Sequence, residues 1–361
     1  MCGIAGIFEF DRASPADPRL LRRMTDLIAH RGPDDSGHWL SGNVGLGHRR
    51  LSIIDLSAAG HQPMDNPDGT MWITYNGECY NYAALAAGLR QQGRRLRSQS
   101  DTEVILALYE QRGIAFLDAI DGMFALAIWD SRRQALILAR DRIGIKPLYY
   151  FADAEHFIFA SEMKALLADR RVPSAIDEAA LGEYFHLLSI PESRCILKGV
   201  RKLPAGHYLT VSRRGIEERC YWDLSVDPDP TLPLETACAE FDTRFSAAVG
   251  SHLVADVPVG AFLSGGVDSS AIVCRAAKMA GAPVETFSIS FPGLPEFDES
   301  PYAIAAASHC GASHHTFDLA PQMIDAVPRV VWHADEPFAI SSAFALFFLA
   351  EFARQHVKVV L

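Results

Sequence analysis

A cysteine directly follows the initiator methionine in this chain. Once Met1 is removed, Cys2 carries a thiol and a free α-amino group on one residue. The amine titrates near ~8, so at neutral pH a usable fraction can take the thiol proton and leave a reactive thiolate. The residues Gly3–Phe8 predict a buried strand that would keep this chain end from fraying. Alone, the stretch is more typical of ordinary core; with the motifs below it predicts a terminal nucleophile.

A second candidate for chemistry lies in the C-terminal half. Val257–Leu263 predicts a strand, Ser264–Ser270 a glycine-rich turn, and Ala271–Met279 a helix. This order points backbone N–H groups and a helix N-terminus at an anion. The lysine of the G-x-x-x-x-G-K loop is absent, which disfavours a kinase-type phosphate site. The S-G-G-x-D-S pattern instead resembles the pyrophosphate loop of enzymes that cleave ATP between its α and β phosphates, where Asp268 would hold Mg²⁺ or cap the helix.

Composition limits the classes of protein that fit. The 361 residues suffice for two domains, and 49% hydrophobic with 21% charged residues is globular. A net charge of −11 gives no electrostatic reason to bind nucleic acid or an anionic membrane. The seven cysteines form no C-x-x-C pair, so neither a zinc site nor a redox motif is predicted, and a reducing cytoplasm fits better than a disulfide framework. No signal peptide is visible, and the longest apolar run, 343–350, is too short to span a bilayer.

The N-terminal half alternates short strands with helices. Helices are predicted from Asp17 to Ala29 and from Asn81 to Gly93, and the Ser100–Glu103 capping box opens another. The cap uses Ser100 and Glu103, which leaves Asp101 available for another role. Further strands are predicted at 45–55, 71–75, 123–129, 135–139, 147–151, 157–160, 207–211 and 219–223. Asn76–Gly77 alone would be a turn. The pattern predicts sheets packed face to face and covered by helices.

The order of these motifs resembles a known family. The glutaminase domain of class II glutamine amidotransferases is similar to the set Cys2–Gly6 (CGIAG), His30–Asp34 (HRGPD), His48–Ile53 (HRRLSI), Tyr75–Glu78 (YNGE) and Ser100–Glu103 (SDTE). Three further motifs resemble one family within this class, the glutamine-dependent asparagine synthetases: Asp121–Ala125 (DGMFA), Asp141–Tyr150 (DRIGIKPLYY) and Ser161–Leu166 (SEMKAL).

The resemblance implies a role for each matching residue. Attack by Cys2 on the glutamine amide would create an oxyanion, for which the Asn76 side chain and the Gly77 N–H are the matching donors. These three are the predicted catalytic residues. The guanidinium of Arg50 would hold the glutamine carboxylate, and Asp101 with Glu78 would hold its ammonium. The predicted glutamine-binding residues are Arg50, Leu51, Ser52, Ile53, Ile54, Asn76, Gly77, Glu78 and Asp101.

Other residues near these motifs are given structural interpretations. His30 and His48 are predicted to be structural hydrogen-bonding residues, since the amine already supplies a base. Arg31 and Asp34 are expected to hold their loop over the site more than to contact the substrate. Cys79 replaces the usual isoleucine of the family and is predicted to be a small buried apolar side chain.

In the C-terminal half the resemblance implies an ATP site and an acceptor site. Asp335 and Glu336 are acceptor-site candidates, for which acceptor binding, metal binding and a structural role stay open. Ile340 lies where family members often have aspartate, which leaves the acceptor open. Val357–Leu361 ends where the family continues into an S-G-x-G-x-D-E loop, so we expect the synthetase domain to be incomplete. The predicted ATP-binding residues are Leu263, Ser264, Gly265, Gly266, Asp268, Ser269, Ser270 and Ile289, with Asp268 as the Mg²⁺ ligand.

The resemblance implies a two-domain α/β protein, with an N-terminal-nucleophile αββα sandwich and then a parallel-sheet ATP-pyrophosphatase-type domain. We expect a glutaminase domain at 2–190, a connection at 191–233 and an ATP-binding synthetase domain at 234–361. The implied activity is ATP-dependent amidation of aspartate to asparagine through a β-aspartyl adenylate, with ammonia released at Cys2, in the cytoplasm. Alternatives are another carboxylate acceptor, or a glutaminase-only or regulatory chain. The family often dimerises, which leaves a homodimer open.

Overall fold

The computed structural model describes residues 1–319, 323–340 and 342–361. Contacts divide the chain into two compact units. The first comprises Met1–Ser225 and Asp335–Phe338, and the second comprises Val226–Ala334 and Ala339–Leu361. Much of the segment 191–233, expected to be a connection, therefore belongs to the first unit.

The first unit contains strands in two sheets and helices outside them. Its strands are β1 Gly3–Glu9, β2 Asp35–Ser41, β3 Val44–Arg50, β4 Met64–Asp65, β5 Met71–Cys79, β6 Gly122–Asp130, β7 Ala135–Arg140, β8 Tyr149–Ala152, β9 His156–Ala160, β10 Val200–Lys202, β11 His207–Ser212 and β12 Gly215–Cys220. Its α-helices are α1 Pro18–Leu27, α2 Tyr82–Gln91, α3 Asp101–Arg112, α4 Met163–Leu166 and α5 Glu178–Leu187.

These strands form two antiparallel six-stranded sheets, in the orders β10-β8-β9-β1-β3-β2 and β12-β11-β7-β6-β5-β4. One apolar cluster joins their facing sides, α1 packs with α4 and α5 on the outer side of the first sheet, and α2 and α3 cover the second. The predicted αββα sandwich is confirmed.

Strand β1 explains why its sequence shows no polar alternation. Ile4 and Phe8 point into the cluster between the sheets, whereas Ala5 and Ile7 point toward α1. Because both faces are covered, every residue of β1 is buried. The strand is also central in its sheet, between β3 and β9, so the start of the chain is held on both sides.

The second unit is built on a parallel sheet. Its four strands lie in the order β15-β14-β13-β16, and the helices α7 and α8 connect β13, β14 and β15. The predicted parallel-sheet α/β domain is confirmed. The elements of this unit are α6 Leu234–His252, β13 Val259–Phe262, α7 Val267–Met279, β14 Glu285–Ser290, α8 Ser300–Cys310, β15 Ser313–Asp318, α9 Val327–Ala334, α10 Ser342–Ala353 and β16 Val359–Val360. Within the residues described, no helix combines the length and apolarity needed to cross a bilayer.

Several local boundaries differ from prediction. The strand expected through Asp55 ends at Arg50, where the chain curls back so that the Arg50 side chain meets its carbonyls. The strand expected to end at Tyr75 continues to Cys79, because pairing with β6 keeps Asn76–Gly77 extended. The last strand of the second sheet runs earlier than the predicted 219–223.

Two further expectations were wrong in part. Ser100 caps α3 as predicted, through Thr102 N at 3.1 Å. The Glu103 carboxylate, however, accepts from the N–H groups of Arg97 and Ser98 rather than closing a capping box. The chain also contains a disulfide between Cys274 and Cys310, which joins α7 to α8 and which no cysteine motif indicated; the free cysteines are Cys2, Cys79, Cys195, Cys220 and Cys238.

Candidate active site

The predicted nucleophile lies at a fixed position immediately before β1. Gly3, the next residue, pairs with Arg49 of β3. The N–H of Leu51 donates to the Cys2 Sγ at 3.4 Å, and that sulfur lies 3.6 Å from the Leu51 carbonyl oxygen. The Arg31 Nε donates to the Cys2 carbonyl oxygen at 2.9 Å. Cys2 is therefore held through both its backbone and its sulfur.

The thiol and the terminal amine have opposite pKa shifts. Burial raises the pKa of the Cys2 thiol above its ordinary value, although the terminal ammonium and the Leu51 contact oppose this. Burial also lowers the pKa of the α-amino group, which belongs to Met1 here, from 8.0 to about 6. At neutral pH the thiol keeps its proton and the amine is mostly free to accept one. A protonated thiol beside an unprotonated amine is the combination that the proposed nucleophile requires, and after removal of Met1 the amine would be that of Cys2 itself.

Arg50 closes β3 and is buried. Its guanidinium donates to the carbonyl oxygens of Ser57 at 3.0 Å, Ile54 at 3.3 Å and Asp55. Its positive charge opposes the rise in the pKa of the Cys2 thiol, which places it in the electrostatic environment of the nucleophile. The side chain is therefore held in one position in the electrostatic environment of the sulfur.

The four residues that follow Arg50 form the connection beside the sulfur. Leu51 makes the two contacts with Cys2, and Ser52 N donates to the Asp34 carboxylate at 2.9 Å. The Ile54 carbonyl oxygen accepts a hydrogen bond from Arg50, and Ile53 is half-exposed. The structure brings this predicted set together at one place.

The edge of β5 offers backbone donors. N–H groups of alternate residues point to the same side of a strand. The N–H of Tyr75 donates to Gln62 Oε1 at 2.7 Å, and that of Cys79 donates to Asp101 Oδ2 at 3.0 Å. Gly77 lies between them in register, so its N–H is directed to the same edge. Phe124 of β6 pairs with Gly77 in register, but its backbone N–H donates to the Asp141 carboxylate and its carbonyl oxygen accepts from Asp141 N, so neither group bonds β5.

Asn76 and Gly77 have properties that ordinary strand residues lack. Asn76 is 1% exposed, yet within the described ranges neither its Nδ2 nor its Oδ1 has a hydrogen-bond partner. A Cβ on Gly77 would lie 2.3 Å from the Met123 carbonyl oxygen, so the close approach of β6 requires glycine. A buried amide without a protein partner is costly and is rarely retained without a purpose.

Two carboxylates lie at the end of β5. Burial raises the pKa of Glu78, and Lys146 opposes that shift. Burial likewise raises the pKa of Asp101, opposed first by the hydrogen bond from Cys79 N. Asp101 also acts electrostatically on Cys2. Asp101 therefore links the end of β5 to α3, and its carboxylate acts on the pKa of the nucleophile.

The structural interpretations of nearby residues can be compared with their contacts. His48 Nε2 lies 3.1 Å from the Tyr75 carbonyl oxygen, and burial lowers its pKa to about 3, so the ring is neutral and links the two sheets. His30 bonds Glu162 at 2.9 Å, and Asp34 holds the Ser52 backbone. Cys79 is buried, and burial raises the pKa of its thiol.

Sequence reasoning missed two charged groups at this site. Lys146 is buried, and burial lowers its pKa, with Glu78 and Cys2 among the charges that oppose the shift. Glu162 contacts Arg31, which in turn holds Cys2. Lys146 and Glu162 lie in motifs that carried the family resemblance, and a charged residue followed directly by an apolar one was the available signal.

The helix that follows the glycine-rich loop of the second unit starts about one turn earlier than the predicted Ala271. Helix α7 begins at Val267, so Asp268 and Ser269 lie in its first turn. Gly265 has a φ of +82°, and a Cβ there would lie 2.5 Å from the Ala303 N, so this position requires glycine. The Ser269 Oγ accepts from Ser264 N at 3.3 Å, which closes the loop.

A cavity of about 250 Å³ opens beside this loop. Four predicted ATP-site residues line it: Leu263, Ser264, Ser269 and Ile289. The lining residues that were not predicted are Phe262, Ser288, Phe291, Phe297, Glu299, Ala345 and Leu349. Its apolar walls beside a loop of small polar residues suit a base and a polar tail.

The two acceptor-site candidates are engaged in ion pairs. Asp335 pairs with Lys164 at 2.8 Å, and the N–H of Met163 also donates to its carboxylate. Glu336 pairs with Lys202 at 2.5 Å and accepts from Ile196 N at 3.0 Å. Both carboxylates therefore have structural partners in the first unit.

Comparison with known proteins places both parts of the chain. The model of the glutamine amidotransferase domain matches residues 1–222, and that of asparagine synthase matches residues 240–361. The chain is 38% identical to asparagine synthetase [glutamine-hydrolyzing] 1 of Bacillus subtilis, over 100% of this chain and 57% of that protein. It is 36% identical to putative asparagine synthetase [glutamine-hydrolyzing] 2 of Methanocaldococcus jannaschii, over 100% of this chain and 73% of that protein.

The coverage of these relatives is uneven. The chain spans 57% of the length of asparagine synthetases 1 and 3 of Bacillus subtilis, the latter at 35% identity over 93% of this chain. The matched domains, the identities and the site geometry agree on one assignment: the chain belongs to the family of glutamine-hydrolysing asparagine synthetases, with a class II glutamine amidotransferase domain at its N-terminus.

Proposed function

We propose that the first unit hydrolyses glutamine at Cys2 and that the released ammonia amidates aspartate at the ATP site of the second unit. The observation that carries the proposal is the edge of β5. There the buried side-chain amide of Asn76 has no hydrogen-bond partner among the described residues. The Gly77 N–H points to the same edge, between the N–H groups of Tyr75 and Cys79, which already have acceptors. These are the donors that a developing oxyanion needs.

The chemistry follows from the residues around the sulfur. The terminal amine takes the thiol proton as Sγ bonds to the amide carbon of glutamine. The Asn76 Nδ2 and the Gly77 N–H stabilise the resulting oxyanion. The carbon–nitrogen bond then breaks, and the amine returns the proton to the leaving ammonia. Water attacks the γ-glutamyl thioester, which releases glutamate and restores the thiol.

Substrate binding would use the charges that flank these donors. Arg50 is held rigidly by three carbonyl oxygens, so its guanidinium is preorganised for the glutamine carboxylate. Asp101 and Glu78 would share the ammonium, which offsets the burial that raises the pKa of each. We assign Leu51–Ile54 to the wall of this pocket.

In the second unit the proposed substrate is ATP. The cavity of about 250 Å³ would take the adenine against Leu263 and Ile289, and the loop Ser264–Ser270 would face the phosphates. The exposed carboxylate of Asp268 in the first turn of α7 fits a Mg²⁺ ion whose other ligands are phosphate and water oxygens. Mg²⁺ would neutralise phosphate charge there. The side-chain carboxylate of aspartate would attack the α-phosphate of ATP, which would form a β-aspartyl adenylate and release pyrophosphate. Ammonia would then attack the adenylate and release asparagine and AMP.

The first test measures glutamate release from glutamine without ATP or aspartate. We expect activity in the parent chain and a loss of about 10³-fold or more in Cys2→Ala, because the nucleophile is removed. Cys79→Ala is the control, since it removes a neighbouring buried thiol and should retain activity. Full glutamate release by the Cys2→Ala chain would overturn the assignment of the nucleophile.

The second test identifies the acceptor. AMP formation is measured with glutamine and ATP, with and without aspartate, and asparagine is detected directly. We expect AMP and asparagine to appear together and only with aspartate. Glutamate release without any AMP would instead favour a glutaminase-only or regulatory chain. AMP formation with other carboxylates alone would change the acceptor, as the isoleucine at position 340 leaves open.

We infer finally that the protein works in the cytoplasm on small molecules. The net charge of −11 disfavours nucleic-acid and anionic-membrane partners. A homodimer is proposed because members of the family often dimerise, and light scattering at several protein concentrations would test it.

A further inference from the structure

Four buried charges form a continuous series in the first unit. Arg31 Nη1 lies 2.8 Å from Glu162 Oε1, Lys164 Nζ pairs with the other Glu162 oxygen, and Lys164 Nζ also lies 2.8 Å from Asp335 Oδ1. The exposed fractions of these four side chains are 8, 6, 12 and 7%. We call Arg31–Glu162–Lys164–Asp335 the ion-pair row.

The ion-pair row begins at the nucleophile. The Arg31 Nε donates to the Cys2 carbonyl oxygen at 2.9 Å, in addition to its pair with Glu162. Ser161, the neighbour of Glu162, accepts from Ile4 N at 3.0 Å through its Oγ and donates its own N–H to the Ile4 carbonyl. The segment that carries Glu162 thus holds the chain on both sides of Gly3.

The ion-pair row ends in a short segment from far along the chain. Asp335–Phe338 belongs to the first unit, whereas its neighbours in sequence, Ala334 and Ala339, belong to the second. A second contact fixes the same segment without touching the row, because Glu336 pairs with Lys202 at 2.5 Å. Attaching Asp335–Phe338 to the first unit therefore does not require the contact between Lys164 and Glu162.

The energetics of buried ion pairs favour a role in geometry. Desolvating two cations and two carboxylates roughly cancels their attraction, so such a series is weak evidence for stability. What it restrains is position: Glu162 contacts Arg31 and His30 through one oxygen and Lys164 through the other. The atom at the end of the series is the carbonyl oxygen of the proposed nucleophile.

We propose that Lys164 and Asp335 are positioning residues for Cys2, acting through Glu162 and Arg31. The inference rests on the proposed glutaminase function and deepens it. Lys164 holds Glu162 in the rotamer that orients Arg31, and Arg31 sets the backbone of Cys2 and hence the direction of its sulfur. A change that withdraws Asp335 loosens this arrangement from a distance.

The test compares Lys164→Met with Lys202→Met in the 361-residue chain. Both changes remove one lysine that docks the same segment, and the two lysines are similarly exposed, at 12 and 11%. Glutamate release is measured without ATP or acceptor. We expect Lys164→Met to lower kcat about tenfold with little change in the KM for glutamine, since misplacement harms the transition state more than binding. Lys202→Met should stay within about twofold, and Lys164→Arg should recover most of the loss.

A double-mutant cycle separates a connected series from independent effects. Asp335→Asn should also lower kcat, and the double variant Lys164→Met/Asp335→Asn should be no worse than Lys164→Met alone, because both changes break the same series. Additive losses, equal losses in Lys164→Met and Lys202→Met, or an effect on KM only would overturn the proposal.

A readout without turnover keeps the two proposals distinguishable. The rate of Cys2 alkylation by iodoacetamide, followed by peptide mass spectrometry, should change in Lys164→Met and not in Lys202→Met. If the parent chain releases no glutamate, the glutaminase function fails while alkylation still tests the positioning. An unchanged alkylation rate together with an unchanged kcat in Lys164→Met would refute the positioning role.

Discussion

Replacing Asn76 with leucine should make the protein more stable and less active at once. The side chain is 1% exposed, and neither of its polar atoms has a partner among the residues that the structure describes. Leucine has nearly the same shape and carries no polar atom. The substitution therefore removes a desolvation penalty without opening a large cavity.

The magnitudes follow from this geometry. A buried polar group without a hydrogen bond costs about 1–3 kcal/mol. Since the amide carries two such groups, we expect Asn76→Leu to raise the free energy of unfolding by about 2 kcal/mol. Loss of one oxyanion donor lowers kcat by about 10²–10³-fold in enzymes where it has been measured. We expect a loss of that order in glutamate release, with a smaller effect on the KM for glutamine.

Asn66, on the connection between β4 and β5, provides a matched control. Asn66 is 2% exposed, but its Nδ2 donates to Glu110 at 2.9 Å and its Oδ1 accepts from Met71 N at 2.9 Å. Asn66→Leu leaves those groups unpaired and should lower the free energy of unfolding by about 2 kcal/mol. Urea unfolding and glutamate release, measured on both variants, give the comparison. If Asn76→Leu destabilises as much as Asn66→Leu, or keeps the parent kcat, the oxyanion assignment is wrong.

Three further predictions concern the same unit. Glutamate release should rise with pH below neutrality and then level off, because burial lowers the pKa of the Met1 amine to about 6, the Cys2 amine that Met1 removal frees lies at the same buried chain end, and only the unprotonated amine accepts the Cys2 proton; a kcat/KM profile rising only near ~8 would contradict this. Gly77→Ala should destabilise by roughly 2 kcal/mol or more in urea unfolding, since its Cβ would lie 2.3 Å from the Met123 carbonyl oxygen; normal stability would show that β6 can move away. Burial would raise the pKa of Glu162, but hydrogen bonds from cationic neighbours outweigh it and lower the pKa from 4.5 to about 2. The stability that this shift contributes, about 3 kcal/mol, is present above pH 4.5 and is lost as the pH falls toward 2. In unfolding measurements over that pH range, the Glu162→Gln variant should not show this loss.

Features fixed by local chemistry were predicted well. Asp17 caps α1, as its carboxylate before a helical pattern indicates, and Asp177 caps α5 by the same local contact. The unbroken apolar run after Cys2 forms a strand buried on both faces. In each case the deciding interaction lies within a few residues of the pattern that predicted it.

Features fixed by distant partners were not predicted. Asn76–Gly77 is a common turn pair, but its alignment with β6 keeps it extended. The Glu103 carboxylate accepts from the backbone N–H groups of Arg97 and Ser98, which precede the helix, and does not cap α3. Lys164 meets Asp335 from 171 residues away, and no periodicity records such a pair.

The candidate site itself divides in the same way. That Cys2 carries a nucleophile and a base follows from chemistry alone. The roles of Arg50 and Asp101 came from the family resemblance, because a lone arginine at a strand end and a lone acid in a first helical turn have common structural explanations. Their placement around one sulfur depends on the sandwich, which brings β1, β3 and the end of β5 together.

The choice of base can be argued from the histidines that the site does not use. His48 is buried and neutral, with its pKa lowered by burial to about 3, and its Nε2 bonds the Tyr75 carbonyl oxygen. That bond holds the residue before Asn76, so we assign the ring to supporting the proposed oxyanion donors and not to proton transfer. His30 bonds Glu162, which also holds Arg31. A terminal amine is then the group near Cys2 that suits a base at neutral pH. Removal of Met1 takes its own amine away and, by hydrolysis of the peptide bond, frees the nitrogen of Cys2 as the new terminal amine, so this step becomes part of forming the proposed active site.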